Sequence, residues 1–183
     1  MNIVNLILYD ILSEAKQIGQ LYHWTGLKSL YLILKSGFIN PSTEDRDDFN
    51  RGISTTRSKE YSYGRFPVKI VLDGDLISHK YKIKPLNWWN NTKATHSEFE
   101  ERIITNKAIP INYIDEIIFC LKHFSKAADY TQELFSFIEY NEKEFYNELV
   151  ERNVFQNYNE NEQVMIIFKL AFPEYAQKFK MEK

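Results

Sequence analysis

The run Leu21-Tyr22-His23-Trp24-Thr25-Gly26-Leu27-Lys28-Ser29-Leu30-Tyr31-Leu32-Ile33-Leu34-Lys35-Ser36-Gly37 constrains the chain more than any other stretch, because its period changes in the middle. The first residues are apolar and aromatic, which suits a strand, whereas Leu27, Leu30, Tyr31 and Leu34 recur at helical spacing. Thr25 or Gly26 can cap that helix, and Gly37 stands where a helix commonly stops. A strand that turns straight into a helix must bury one face of each against a shared core. The expectation is a strand over residues 21–23 with His23 at its end, where an imidazole either faces a cleft or fills a wall.

The remaining pieces are short and well punctuated. Residues 2–17 place Ile3, Leu6, Ile7, Ile11 and Leu12 for an amphipathic helix ending near Gly19. Residues 40–52 are polar and acidic, a long loop of the kind that carries function. Ile53-Ser54-Thr55-Thr56-Arg57 reads as a strand, 61–65 as a loop, and 67–72 as a strand ended by Asp73-Gly74. One helical turn over 75–78 and an extended piece stopped by Pro85 follow. Trp88 and Trp89 sit in a polar loop, either anchoring it or offering a stacking surface. Glu98, Glu100 and Glu101 crowd the start of a strand through Arg102, Ile103 and Ile104. Glu98 and Glu100 share one side of an extended chain and Glu101 takes the other, and a solvated edge strand is the plain alternative. Residues 113–121 form the most apolar strand candidate, expected at the centre of the sheet, with Cys120 as core filling rather than a nucleophile served by His123. From Ser125 the pattern is helical, over 130–140, 142–152 and 163–179.

These pieces give an α+β fold: a small split sheet of mixed or antiparallel strands with an N-terminal helix and a helical C-terminal region. Residues 1–124 form the core, and 125–183 a helical extension packed on it within one domain, as 183 residues allow. The net charge of −2 announces neither nucleic acid nor membrane as partner. Its distribution says more, since basic residues outnumber acidic ones seven to three over 57–84, and acidic outnumber basic nine to two over 129–162. One face attracts phosphate and the other repels it. Cys120 is the one cysteine, which excludes an intrachain disulfide and suits a reducing cytosol. No apolar run approaches the roughly 18 residues of a membrane helix.

Three sequence-distant segments share one description: a strand carrying a histidine, a strand carrying hydroxyls, and a strand introduced by glutamates. His23 within Tyr-His-Trp-Thr, Ser54-Thr55-Thr56 within Ile-Ser-Thr-Thr-Arg, and Glu98-x-Glu100 ahead of Glu101-Arg102-Ile103-Ile104 resemble the three ordered signatures of the ADP-ribosyltransferase superfamily. The helix after the histidine is similar too, and the resemblance spans residues 22–120. It implies that the chain takes ADP-ribose from NAD and transfers it to a protein or nucleic acid, with no metal. His23, beside Thr25, would hold the adenosine-side ribose, and Ser54 and Thr55 would shape the nicotinamide pocket. Tyr61 or Tyr63 would stack on the ring, and Arg57 would pair with the pyrophosphate. Glu100 would be the catalytic carboxylate and Glu98 would serve the acceptor, with Glu101 a rival to Glu100. Residues 22–84 also look like proteins of large tailed bacteriophages. The setting implied is a phage or toxin-like effector in a bacterial or host cytosol. A different class remains open: a catalytically silent module that docks a basic partner on its acidic helices or its Trp88-Trp89 loop.

Overall fold

The computed structural model describes residues 18–41, 52–59, 66–85, 100–120 and 128–182. Strand β1 (Gln20–Thr25) turns through Gly26 into helix α1 (Leu27–Ser36), which Gly37 ends in the left-handed conformation. Short strand β2 (Phe38–Ile39), strands β3 (Ile53–Thr56) and β4 (Val68–Asp73), helix α2 (Gly74–Ser78) and strand β5 (Lys82–Pro85) follow. Then come β6 (Glu100–Ile104), β7 (Ile109–Pro110), a 3-10 turn at Ile111–Tyr113 and β8 (Ile114–Cys120). The C-terminal part holds α3 (Ala128–Asn141), α4 (Lys143–Glu151), α5 (Val154–Asn157), α6 (Glu160–Ala171), a 3-10 segment at Pro173–Lys178 and β9 (Phe179–Glu182).

The architecture is α+β, with a mostly antiparallel seven-stranded sheet in the order β5-β6-β3-β1-β4-β8-β9 and a two-stranded β2-β7 sheet. Among the described residues, only β8 and β9 of the large sheet run parallel. The period-2 pattern decides which side each residue faces. Leu21, Val68, Ile70, Leu72, Ile117 and Phe119 enter the main core, where α1 adds Leu27, Leu30, Tyr31, Ile33 and Leu34. Tyr22, Val71, Ile118 and Cys120 form a smaller cluster on the other face, with Trp24 packed against it. Leu134, Ile138, Leu149, Val164, Ile167 and Phe168 close the main core from the C-terminal helices. Tyr31 anchors α1 there, meeting Phe137, Phe168 and Phe172 edge-on at 5.8, 6.3 and 5.0 Å. Ion pair Lys28–Glu133 joins α1 to α3, and Lys35–Glu142 joins α1 to the cap of α4. Among the described residues, no helix is long and apolar enough to cross a membrane.

Four details depart from the sequence expectation. His23 lies inside β1 rather than at its end, because the ladder with β4 continues to Thr25↔Val68. The glutamate-led strand β6 is interior, paired on both sides by β5 and β3. The apolar strand β8 is next to last, and β1 takes the centre. The helix expected over 163–179 stops at Ala171, since Pro173 cannot continue it, and Phe179 returns to the sheet against Phe119 and Phe168 at 5.9 and 6.0 Å. The C-terminal region therefore supplies a strand of the sheet as well as helices. The N-terminal helix over 2–17, residues 42–51 of the acidic loop, the Trp88-Trp89 loop and His123 lie outside the described residues.

Gly52 fixes how β3 meets β6. Its φ of +152° favours glycine, and a Cβ there would collide with the Ile103 carbonyl. Gly52→Ala is expected to cost about 2 kcal/mol in urea unfolding, because a backbone atom must shift to admit the methyl group.

Candidate functional site

The three motif-bearing strands are consecutive in the sheet: β1 lies beside β3, and β3 beside β6. Tyr22 stands opposite Thr56, so by alternation His23 shares a face with Thr55. Thr55 stands opposite Glu101, and Thr56 opposite Glu100. One face of this strand triplet therefore carries His23, Thr55 and Glu101, while Tyr22, Ser54 and Thr56 belong to the other. The expected grouping of His23 with Ser54 and Glu100 is corrected by this one-residue alternation. Neighbouring strands lie about 4.8 Å apart, so His23 and Glu101 stand about 10 Å apart across the triplet.

Each side chain of that row has a defined partner. His23 Nδ1 lies 2.8 Å from the Ser54 carbonyl. A carbonyl only accepts, so Nδ1 carries the proton and Nε2 of the neutral ring is left as an acceptor. Burial pushes the imidazole below its ordinary value, and the Ser54 hydrogen bond opposes this in part. The Thr55 hydroxyl donates to the Glu101 carbonyl at 2.8 Å, tying β3 to β6 through a side chain. Glu101 Oε1 pairs with Arg57, and its Oε2 is buried with no hydrogen-bond partner among the described residues. A buried carboxylate oxygen without a donor is costly, and a ligand hydroxyl reaching it would satisfy it. Arg57, expected on a pyrophosphate, instead holds this carboxylate.

Two cavities flank the row. His23 and Thr25 line one of 310 Å³, with Ser29, Leu32, Ile33, Ile39 and Asn40 from α1 and its exit. Tyr22, Trp24 and Phe66 wall the other, of 140 Å³, together with Ser54, Thr55 and Thr56. The hydroxyl motif thus lines an aromatic pocket, while the histidine motif lines one of mixed polar and aliphatic character, and β1 separates them. Glu100 is described by its backbone register alone, and Glu98, Tyr61 and Tyr63 lie outside the described residues.

Sequence reasoning missed Tyr22 and Trp24 as pocket walls, although their alternation with His23 and Thr25 signals them. Phe66 carries no such signal, since a loop residue has no period. Lys69 was also missed, because an alternating lysine ordinarily points to water, yet it is 1% exposed. No protein-family model matches this chain, and no curated protein matches it.

The His23 arrangement has a pH consequence. Its folded-state value lies below the ordinary 6.5, so the unfolded chain takes up the proton first and stability falls as pH drops through that value. His23→Gln is expected to flatten this fall in urea-unfolding curves taken between about pH 7.5 and 5.5. An unchanged slope would mean that His23 titrates alike in both states.

Proposed function

We propose that this chain is an ADP-ribosyltransferase that cleaves NAD and hands ADP-ribose to an acceptor protein or nucleic acid. Work in a cytosol, as a phage or toxin-like effector, belongs to the same proposal. The observation that carries it is the adjacency of β1, β3 and β6, which gathers one imidazole, one hydroxyl and one carboxylate onto a single face. Two riboses joined through a pyrophosphate match a row about 10 Å wide that begins at the cavity lined by His23 and Thr25.

In this reading the cavity lined by His23 and Thr25 takes the adenosine side. His23 Nε2 accepts a hydrogen bond from a ribose hydroxyl, and Thr25 lines the same wall. The nicotinamide ring stays on the same face as its ribose, beside Thr55, and the aromatic pocket of Tyr22, Trp24 and Phe66 lies on the opposite face of the sheet. The bond from ribose C1′ to the nicotinamide nitrogen breaks with both electrons going to nitrogen, which leaves as neutral nicotinamide. Positive charge then develops on the sugar. Glu101 stabilises it, its orphaned Oε2 accepting from the neighbouring 2′-hydroxyl while Arg57 holds Oε1. The acceptor nucleophile attacks C1′ and loses its proton to a base, the role left for Glu98 or Glu100.

Glu101 replaces Glu100 as the assigned carboxylate because it shares the His23 face and has an unsatisfied oxygen. The test is nicotinamide release and transfer of labelled ADP-ribose by Glu101→Gln and Glu100→Gln side by side. Glu101→Gln should lose roughly a hundredfold or more in turnover with NAD affinity kept within a few fold, and Glu100→Gln should lose far less. The reverse pattern would move the carboxylate to the other face. A parent protein that neither binds NAD nor releases nicotinamide, while properly folded, would retire the enzyme and favour the silent binding module.

A further inference from the structure

The cavity given above to adenosine has a one-sided hydrogen-bonding chemistry at His23. The Ser54 carbonyl, 2.8 Å from Nδ1, keeps the imidazole proton on that nitrogen, so Nε2 offers a lone pair and no hydrogen. Burial holds the ring below its ordinary value, so near neutral pH the imidazolium, which would carry a second N–H, is disfavoured. The rest of the wall is Thr25, Ser29, Leu32, Ile33, Ile39 and Asn40, with no lysine or arginine among the described residues that line it. Lys28, the neighbour of Ser29 on α1, is taken up by Glu133 at 3.1 Å.

An acceptor without a proton sorts ligands by what they bring to it. A ribose hydroxyl brings a hydrogen. A phosphate on the 2′-oxygen brings oxygen lone pairs and about two negative charges, set beside a nitrogen that cannot donate to them. The Thr25 and Ser29 hydroxyls can donate, but they carry no charge to balance a buried dianion. The 2′- and 3′-hydroxyls are cis neighbours on the sugar, so a 2′-phosphate crowds Nε2 whichever of the two the ring meets. We infer that His23 makes this cavity selective for an adenosine ribose without a phosphate, so that the chain takes NAD and refuses NADP. This rests on the donor reading of the His23 face given above. His23 is the specificity-determining residue, and the Ser54 carbonyl acts through it by fixing the tautomer.

The experiment is calorimetric titration of the full chain with NAD and with NADP, repeated for His23→Gln, whose amide can turn a donor toward a phosphate. The parent should bind NAD roughly a hundredfold or more tighter than NADP, and His23→Gln should narrow that ratio by about tenfold or more. A His23 that only supports the fold would lower both affinities together and leave the ratio where it was, which overturns the inference. A parent that takes both dinucleotides within a few fold overturns it too, and in either case the donor reading stands. If the parent binds neither, the donor reading falls and takes the inference with it. Should His23→Gln fail to fold, the imidazole nitrogen-15 resonances of the parent decide: NAD should shift Nε2 and leave Nδ1 protonated, while NADP at the same concentration shifts neither. Equal shifts with both dinucleotides would overturn the inference.

Discussion

The structure turns on an asymmetry of β1. Along one side it is laddered to β4 from Gln20↔Asp73 to Thr25↔Val68, which fixes the direction of every side chain it carries. Along the other side its register with β3 is carried by Tyr22↔Thr56, and beyond that point the Ser54 carbonyl accepts from the His23 imidazole. That bond ties a β1 side chain to the β3 backbone. The same bond fixes the tautomer of the ring. Structure and proposed chemistry therefore meet in one contact: Nδ1 serves the fold, and Nε2 is left over.

Much of this was legible in the residues. The helix after His23 is written in Leu27, Leu30, Tyr31 and Leu34 and closed by Gly37, and its observed bounds follow. Strands β3, β4 and β5 lie where alternation and Pro85 put them, because local pattern and burial agree there. Register was not legible. A sheet's strand order and offsets come from long-range pairing, and a slip of one residue exchanges faces, so only the pairing shows that Glu101, not Glu100, shares the His23 face. β9 was hidden for a related reason, since Phe179-Lys180-Met181-Glu182 is too short to show a period and follows a helical run. It is a strand because β8 offers it an edge and the core has room for Phe179.

Charge follows the same division between local and distant. A lysine alternating with valine, isoleucine and leucine reads as one solvent-facing position of a strand. Its burial depends on Glu182, 113 residues away in the chain, and on the faces of Tyr22 and Trp24. A buried ion pair offers little net stability against a well-packed apolar pair. Arg57 is the surface counterpart: half-exposed, it holds one oxygen of Glu101, whose other oxygen has no hydrogen-bond partner among the described residues.

The account's central claim is that β1, β3 and β6 present His23 and Glu101 to two ends of one dinucleotide. A crystal structure of the Glu101→Gln protein with NAD bound tests this most directly, since the donor is preserved and both ends are visible. The account predicts the adenosine-side ribose against His23 Nε2 and the nicotinamide ribose beside residue 101, with the ring on that same face near Thr55. A dinucleotide bound elsewhere, or one whose nicotinamide ribose meets residue 100 with residue 101 turned away, would contradict it.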